Sequence, residues 1–332
     1  MLDLPGIEEA VFTAAKAYET EPHGDGAYVS AFANWHQQAS VRVKDRQLVT
    51  QLEAEEVSGK VFFPSSMVPV LDHPTVSGHG PETHRQLQIR SLHTYLDFTA
   101  ELEQCVVNPV TCQISRRRFG VAVPPKMAED AYKIYVDEAW HSCFSDDLQR
   151  QIMDATGVGQ VNVPCPVFME RLAHLEEHVS VRERRLARVF FAIVSETLIS
   201  AFLSEIPGDH KVVEPVRALI ADHAIDEGHH HVYFSQLLAW LWPQLSSRER
   251  LMIGRMVPDF IDAFLSPDLR AITVMLLQSS VTEDEAYQVL ADTYGGGATH
   301  KLSARHTIKH LSQVGVLDDP RIMERFQEAE LV

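Results

Sequence analysis

Two short stretches of the sequence repeat the pattern Asp-Glu-x-x-His. The first is Asp137–His141, which reads DEAWH, and the second is Asp226–His230, which reads DEGHH. If both stretches are helical, the Glu and the His of each copy lie on one face, because residues three apart are neighbours on a helix. One such pair is weak evidence, since charged pairs are common on solvated helix faces. The prediction of a metal site therefore depends on the repetition.

Each copy also has a further glutamate about one helical hairpin upstream, within an apolar helix. Glu103 precedes the first copy, and Glu196 precedes the second and follows the apolar run 189–194 after one serine. This is the ligand pattern with which a four-helix bundle binds two metal ions. A third imidazole, His223, lies one turn before Glu227 and shares its face. The predicted ligands are Glu103, Glu138, His141, Glu196, His223, Glu227 and His230.

The chemistry of this set favours iron. Iron that activates dioxygen takes carboxylate and imidazole ligands and leaves positions open for O2. Four buried carboxylates are costly unless cations neutralise them, and two iron ions would do so. We expect Glu138 and Glu227 to bridge the two ions, with Glu103 and Glu196 as terminal ligands.

The aspartate that opens each copy has a different predicted role. Asp137 and Asp226 can each accept the second N–H of a ligand histidine on a neighbouring helix, which fixes the tautomer and the orientation of the ring. The same two positions argue against thermolysin-type zinc chemistry, because that motif requires His where these aspartates stand.

The first ligand could be Glu101 or Glu103, and helical phase decides between them. With about 3.6 residues per turn, side chains two apart point in very different directions. Glu103 continues a stripe that includes Val106, whereas Glu101 shares the side of Asp97 and Asn108. We therefore predict Glu103 as the ligand.

The segments that must position these residues are predicted to be helices, because apolar residues recur at spacings of three and four. Asn108-Pro109 is expected to end the first bundle helix. Strand alternation is not evident, and the prediction is one all-α domain over residues 1–332. The predicted helices are 7–18, 28–43, 81–107, 126–144, 181–206, 209–242, 246–264, 268–278, 282–294 and, as the last one, 302–314.

Composition excludes several classes of protein. The 332 residues are 45% hydrophobic and 23% charged, and the formal net charge is −17, which argues against a nucleic-acid partner. No apolar run approaches the ~20 residues that span a bilayer, and the start of the chain lacks the pattern of a secretory signal. The four cysteines have no C-x-x-C spacing and are expected to be reduced thiols, which indicates a cytoplasmic protein.

At the predicted ligands the chain resembles the p-aminobenzoate N-oxygenase family of diiron enzymes. The resemblance extends from about Tyr28 to the C-terminal helices, and His223 is its most specific residue. It implies a ferritin-like four-helix bundle core with additional helices, two iron ions, O2 as co-substrate, and His223 and Glu227 as catalytic residues. It also implies a small-molecule amine as substrate, a reductase or ferredoxin as external electron donor, a homodimer, and a role in secondary metabolism such as antibiotic biosynthesis.

The substrate pocket is less well defined by the sequence than the ligands. Tyr95, Thr99 and Leu203 lie within a turn or two of predicted ligands and are candidates for its lining. Arg90 or Arg305 could pair with a substrate carboxylate. Two other functions are considered: a diiron hydroxylase or desaturase that acts on C–H bonds, and a non-catalytic ferritin-like iron-binding protein. The pair His174 and His178 is expected to face solvent.

Overall fold

The computed structural model describes residues 28–50, 52–163, 165–177, 179–203, 206–296 and 300–332. The predicted helix 7–18 lies outside these residues. Within them no strand is formed, and Val61 and Val212 make one isolated bridge. Every described helix is too short or too polar to span a bilayer. The predicted all-α fold is confirmed.

The helices are numbered here in chain order. They are α1 (Trp35–Gln38), α2 (Ser40–Val43), α3 (Leu52–Val57), α4 (Pro74–Gly78), α5 (Pro81–Leu102), α6 (Asn108–Ser115), α7 (Pro125–Thr156), α8 (Val167–Glu176), α9 (Val181–Leu203), α10 (Glu214–Leu241), α11 (Ser247–Leu265), α12 (Leu269–Gln278), α13 (Glu283–Tyr294), α14 (Lys301–Gln313) and α15 (Pro320–Glu328).

Four long segments form the core. Helix α5 and its continuation α6 pack on α7, helix α9 packs on α10, and α7 contacts α10 to complete the bundle. Residues 189–194 of α9 are all buried, as expected for a helix that is apolar on every side and lies in the middle of a bundle. Helices α11 and α14 pack against the other side of α9, and α15 packs on α11.

The first bundle helix does not end at Asn108-Pro109, contrary to the prediction. A π-helical turn, Glu103–Val107, joins α5 directly to α6. Proline lacks an N–H and its ring clashes with the carbonyl four residues earlier in a regular α-helix. The wider turn immediately before Pro109 is the kind of local irregularity that accommodates it, and such turns are frequent at functional sites.

Other boundaries also differ from the prediction. Helix α7 continues to Thr156 and ends at Gly157, whose φ of 71° provides the left-handed C-terminal residue. Helix α10 starts at Glu214 because Pro215 occupies its first turn, where proline is favoured. Helix α15 follows the segment that was expected to be last. Residues 28–43 form only the short helices α1 and α2.

Candidate metal centre

The four core segments each contribute to one buried cluster. Glu103 stands at the start of the π-helical turn after α5, and Glu196 lies near the middle of α9. Helix α7 supplies two residues and α10 supplies three, at the positions of the repeated motif. Each of the following side chains is at most 1% exposed: Glu103, Glu138, His141, Glu196, His223, Glu227 and His230.

The cluster divides into two groups. Within each group, the possible ligand atoms all lie within 4.8 Å of one another. We call them site 1 and site 2. Site 1 has two imidazoles and two carboxylates, and it consists of Glu103, His141, His223 and Glu227. Site 2 has one imidazole and three carboxylates, and it consists of Glu138, Glu196, Glu227 and His230. Glu227 belongs to both sites.

Two glutamates stand between the sites. Glu227 Oε1 is 3.6 Å from His141 Nδ1 and 3.0 Å from His230 Nδ1. Glu138 approaches the same two nitrogens with its two oxygens: Oε2 is 3.2 Å from His141 Nδ1, and Oε1 is 3.2 Å from His230 Nδ1. Carboxylates in these positions can reach an ion in either site, which is what a bridging ligand requires.

Several ligand atoms are buried without a hydrogen-bond partner. His223 Nε2 and Glu103 Oε1 lie 3.1 Å apart, and yet neither is hydrogen-bonded. An unsatisfied buried polar atom costs about 1–3 kcal/mol, and carboxylate oxygen with imidazole nitrogen is a donor set suited to iron. The cluster therefore fits a pair of cations. The unpartnered atoms are Glu103 Oε1, Glu138 Oε1, Glu196 Oε2, His223 Nε2 and Glu227 Oε2.

The pKa values of the buried carboxylates also indicate that the cluster fits cations. Burial raises the pKa of Glu103 to about 7, and burial with the charges of Glu227 and Glu138 raises the pKa of Glu196 well above its usual value. Burial also opposes ionisation of Glu227, but the nearby imidazoles hold its pKa well below the usual value. The carboxylates compete for too little positive charge, and added cations would remove that competition.

Each histidine of the repeated motif is hydrogen-bonded through Nε2 to an aspartate of the opposite helix. A hydrogen bond joins His141 Nε2 on α7 to Asp226 Oδ2 on α10 (3.2 Å), and another joins His230 Nε2 on α10 to Asp137 Oδ2 on α7 (3.3 Å). Because each Nε2 is used in this way, each Nδ1 is left to face the carboxylates. This crossed pairing is the one expected from the sequence.

A third layer of contacts comes from residues 28–50, which we call the N-terminal strap. Trp35 Nε1 donates to both oxygens of Asp137 at 2.8 Å, and Ser40 donates to Asp226 through its hydroxyl and its backbone N–H. Sequence reasoning missed both residues. They are separated from their aspartates by 102 and 186 positions, and no local spacing signals contacts at such distances.

The structure separates Glu101 from Glu103. Glu103 is buried and accepts a hydrogen bond from Ser142 Oγ at 3.0 Å. Glu101 is partly exposed, accepts a hydrogen bond from Cys105 Sγ, and lines a surface cavity. Asn108, which was expected on the side of Glu101, is buried, because the π-helical turn changes the helical phase between the two positions.

A largely apolar cavity of about 450 Å³ is lined by residues that lie one or two helical turns from Glu103 and Glu196. Tyr95 and Thr99, which were candidates for the substrate pocket, line this cavity, whereas the third candidate, Leu203, is buried but is not among its lining residues. Arg90 does not line it either, and donates to Gly159 O and Gln278. Arg305 is exposed and bonds to His306.

Of the pair predicted to face solvent, His174 is exposed and forms an ion pair with Glu177. His178 lies outside the described residues. The neighbouring Glu176 is buried and bound by Arg188 through two hydrogen bonds, so this helix is not solvated on every side.

Comparison with known proteins identifies the family. The family model described as P-aminobenzoate N-oxygenase AurF matches residues 40–309, which include every residue of both sites and Ser40. The 4-aminobenzoate N-oxygenase of Streptomyces thioluteus is 23% identical to this chain over 240 residues, which cover 70% of each protein. The match to the family model spans most of the sequence, and the chain belongs to the p-aminobenzoate N-oxygenase AurF family.

Proposed function

We propose that the protein is a diiron N-oxygenase, which uses O2 to oxidise an amine, most readily an aromatic one, to a hydroxylamine, nitroso or nitro product. One observation carries the proposal: in a member of this family, seven buried ligand side chains form two adjacent sites that share Glu227. Two iron ions bound there would supply the electrons and the open coordination positions that O2 activation needs.

The proposed ligands divide by role. Glu138 and Glu227 would hold both ions, because each approaches Nδ1 of both motif histidines. Glu103 and His223 complete site 1. Glu196 completes site 2, where it lies 3.8 Å from His230 Nδ1.

The surrounding residues fix these ligands and exclude water. Asp226 and Asp137 hold the two motif imidazoles, which keeps each Nδ1 directed at the carboxylates. Phe144 covers the rings of two ligand histidines. Its ring centroid lies 5.3 Å from that of His141 and 5.8 Å from that of His223. A dry site strengthens every electrostatic interaction within it.

The catalytic residues of this proposal are His223 and Glu227. His223 Nε2 and Glu227 Oε1 lie 3.3 Å apart. His223 adds an imidazole to site 1 and restricts the movement of Glu227 from one turn away on α10. Turnover requires an external electron donor, for which we propose a reductase or a ferredoxin. We also propose a cytoplasmic homodimer acting in secondary metabolism.

The test measures metal and product together. The protein, loaded with Fe(II) without oxygen, should hold about two irons per chain by elemental analysis. With O2, a chemical reductant and a panel of aryl amines, it should give products that carry one or two added oxygen atoms on nitrogen by mass spectrometry.

The control variant is Glu101→Ala, which removes a carboxylate near the cluster but outside it and should keep both iron and activity. Products oxidised only at carbon would support a C–H hydroxylase instead. Iron binding without any product, under all donors tried, would support a non-catalytic iron-binding protein. Either result would overturn the proposal.

A further inference from the structure

The apolar cavity beside the cluster is in the right place to bind the substrate. Tyr95 and Thr99 lie on α5, two turns and one turn before Glu103, and Ile199 lies on α9 one turn after Glu196. One wall of the cavity is therefore made by the same two helices that carry a carboxylate of each site. Its volume of about 450 Å³ lies within the usual range for ligand pockets, about 300–1,000 Å³.

The cavity offers no positive charge to a ligand. Among its described lining residues none is Lys or Arg, and Asp268 is the one charged side chain. Asp268 is already satisfied, since it accepts the backbone N–H groups of Arg270, Ala271 and Val167. The parts of the sequence outside the described residues contain a single Lys, Lys16, and no Arg.

The two arginines that the sequence suggested as partners for a carboxylate are not available to this cavity. Arg90 is fixed by Gly159 and Gln278, and Arg305 is exposed on α14. A carboxylate placed among apolar side chains without a cation loses its hydration and gains nothing in return. Binding of an aminobenzoate here would therefore be strongly disfavoured.

A second cavity near the cluster does contain cations, but it lies behind the ligands. Its volume is about 210 Å³, and its lining includes Lys44, Arg46 and Phe144. Lys44 is paired with Asp222 at 2.5 Å, and Arg46 makes two hydrogen bonds to Asp147. Phe144 separates this space from the imidazoles of site 1, so it does not give a substrate access to the ions.

Among the polar groups of the apolar cavity, the Tyr95 hydroxyl is free to bind a ligand. The Tyr95 hydroxyl is buried and has no hydrogen-bond partner, while the hydroxyls of Thr99 and Thr94 already donate to backbone carbonyls. Burial and then the charges of Glu103 and Glu227 raise the Tyr95 pKa, so the hydroxyl keeps its proton. It can both donate to and accept from an amino group near the cluster.

Resting on the proposed function, we infer that this cavity takes an uncharged aromatic amine, whose amino nitrogen is bound by the Tyr95 hydroxyl, and that it discriminates against aminobenzoates. In this respect the protein differs from the relative whose name specifies 4-aminobenzoate. The volume also leaves space beyond one ring, because a cavity of about 150 Å³ is enough for benzene.

A matched pair of ligands tests the inference. 4-Aminobenzamide and 4-aminobenzoate have nearly the same shape and differ in charge at neutral pH. Isothermal titration of the metal-free and the iron-loaded protein should give a dissociation constant for the amide at least about tenfold lower than for the carboxylate, and Tyr95→Phe should weaken amide binding several-fold. Equal or tighter binding of the carboxylate by the wild type would overturn the inference.

A variant can reverse the preference. Ile272 lines the cavity and is half-buried, so a lysine there can lay its stem along the apolar wall. Ile272→Lys should bind the carboxylate at least about tenfold more tightly than the wild type does, and Ile272→Met should not. A folded Ile272→Lys protein, verified by circular dichroism, that gained no carboxylate affinity would count against the inference. The wild-type pair decides the question if this variant does not fold.

Failure of this inference can be distinguished from failure of the proposed function. A protein that binds and N-oxygenates 4-aminobenzoate as well as the amide is still an N-oxygenase, and only the substrate class would be wrong. A protein that binds neither compound and oxidises no amine would overturn both.

Discussion

The two candidate sites share a glutamate and a helix, yet they differ in their donor atoms. Site 1 combines two imidazoles with two carboxylates, whereas site 2 combines one imidazole with three carboxylates. Because Glu138 also approaches His141 of site 1, three carboxylates can reach an ion in either site, and the remaining difference is the second imidazole of site 1. We therefore expect His223, which has no counterpart in site 2, to adjust the chemistry at site 1.

The aspartates that bind the histidines of the two sites also differ, in their pKa values. Burial tends to raise the pKa of Asp226, but hydrogen bonds from His141 and Ser40 lower it below its usual value. Burial raises the pKa of Asp137, and the hydrogen bond from His230 only partly offsets it. Asp226, which binds the site 1 histidine His141, is thus held more firmly in its charged form than Asp137, which binds His230 of site 2.

The largest expected effect comes from removing Glu227, the ligand that the two sites share. Glu227→Ala removes a ligand from both sites at once, and most of the iron should be lost from the purified protein. Elemental analysis beside the Glu101→Ala control measures this. A Glu227→Ala protein with its full iron content and normal turnover would show that the two sites are not linked as described.

The next largest effect is expected from a substitution that empties one of the two sites. Glu103→Ala removes a carboxylate from site 1 alone, and the iron content should fall to about one per chain, held in site 2. Glu101→Ala should leave two irons, because that side chain is partly exposed and bonded to Cys105. If Glu101→Ala lost iron and Glu103→Ala did not, the first ligand would be two residues away and site 1 would need to be redrawn.

His223→Ala should separate binding from chemistry. The remaining ligands suffice for two ions, so most iron should stay, but site 1 loses an imidazole and Glu227 is freed to move. We expect amine oxidation to slow by at least about tenfold, which corresponds to ~1.4 kcal/mol in the barrier. Unchanged product formation, measured beside iron content, would remove the functional distinction between the two sites.

The aspartates should have smaller and site-specific effects. Asp226→Ala should weaken metal binding at site 1 and Asp137→Ala at site 2, each by roughly 10–100-fold, the usual loss for groups that orient a ligand. Titration of the metal-free protein with a divalent ion resolves the two steps. If both variants weakened the same step, the crossed pairing would not control the sites separately.

The smallest effect is expected from the strap. Trp35→Phe keeps an aromatic side chain but removes the N–H that donates to Asp137, and it should lower the free energy of unfolding by about 1 kcal/mol and weaken site 2 slightly. The matched control is Trp240→Phe, since Trp240 Nε1 donates to Ala122 O, a backbone carbonyl outside both sites. Equal effects of the two variants on metal affinity would show that the strap does not support site 2.

The family and the all-α fold could be predicted because their signals are local. Glu-x-x-His and the preceding His223 are read along single helices, and the family resemblance based on them is confirmed. The π-helical turn was not predictable from periodicity, which assumes constant helical phase and so placed Asn108 on the wrong side. Leu203 is near Glu196 in sequence and yet outside the cavity lining, because a cavity is defined by side chains from several helices.

The strap also constrains the order in which the protein can assemble. It is synthesised before any ligand residue, but Ser40 finds its partner 186 positions later, and contacts between such distant positions are slow to form. A nascent chain must therefore complete α10 before the strap can dock behind both motif histidines. Until then Asp137 and Asp226, which bind the ring nitrogens, lack the hydrogen bonds from Trp35 and Ser40. Docking of Ser40 on Asp226 therefore follows synthesis of α10, and iron that binds earlier meets ligands that are not yet held in place.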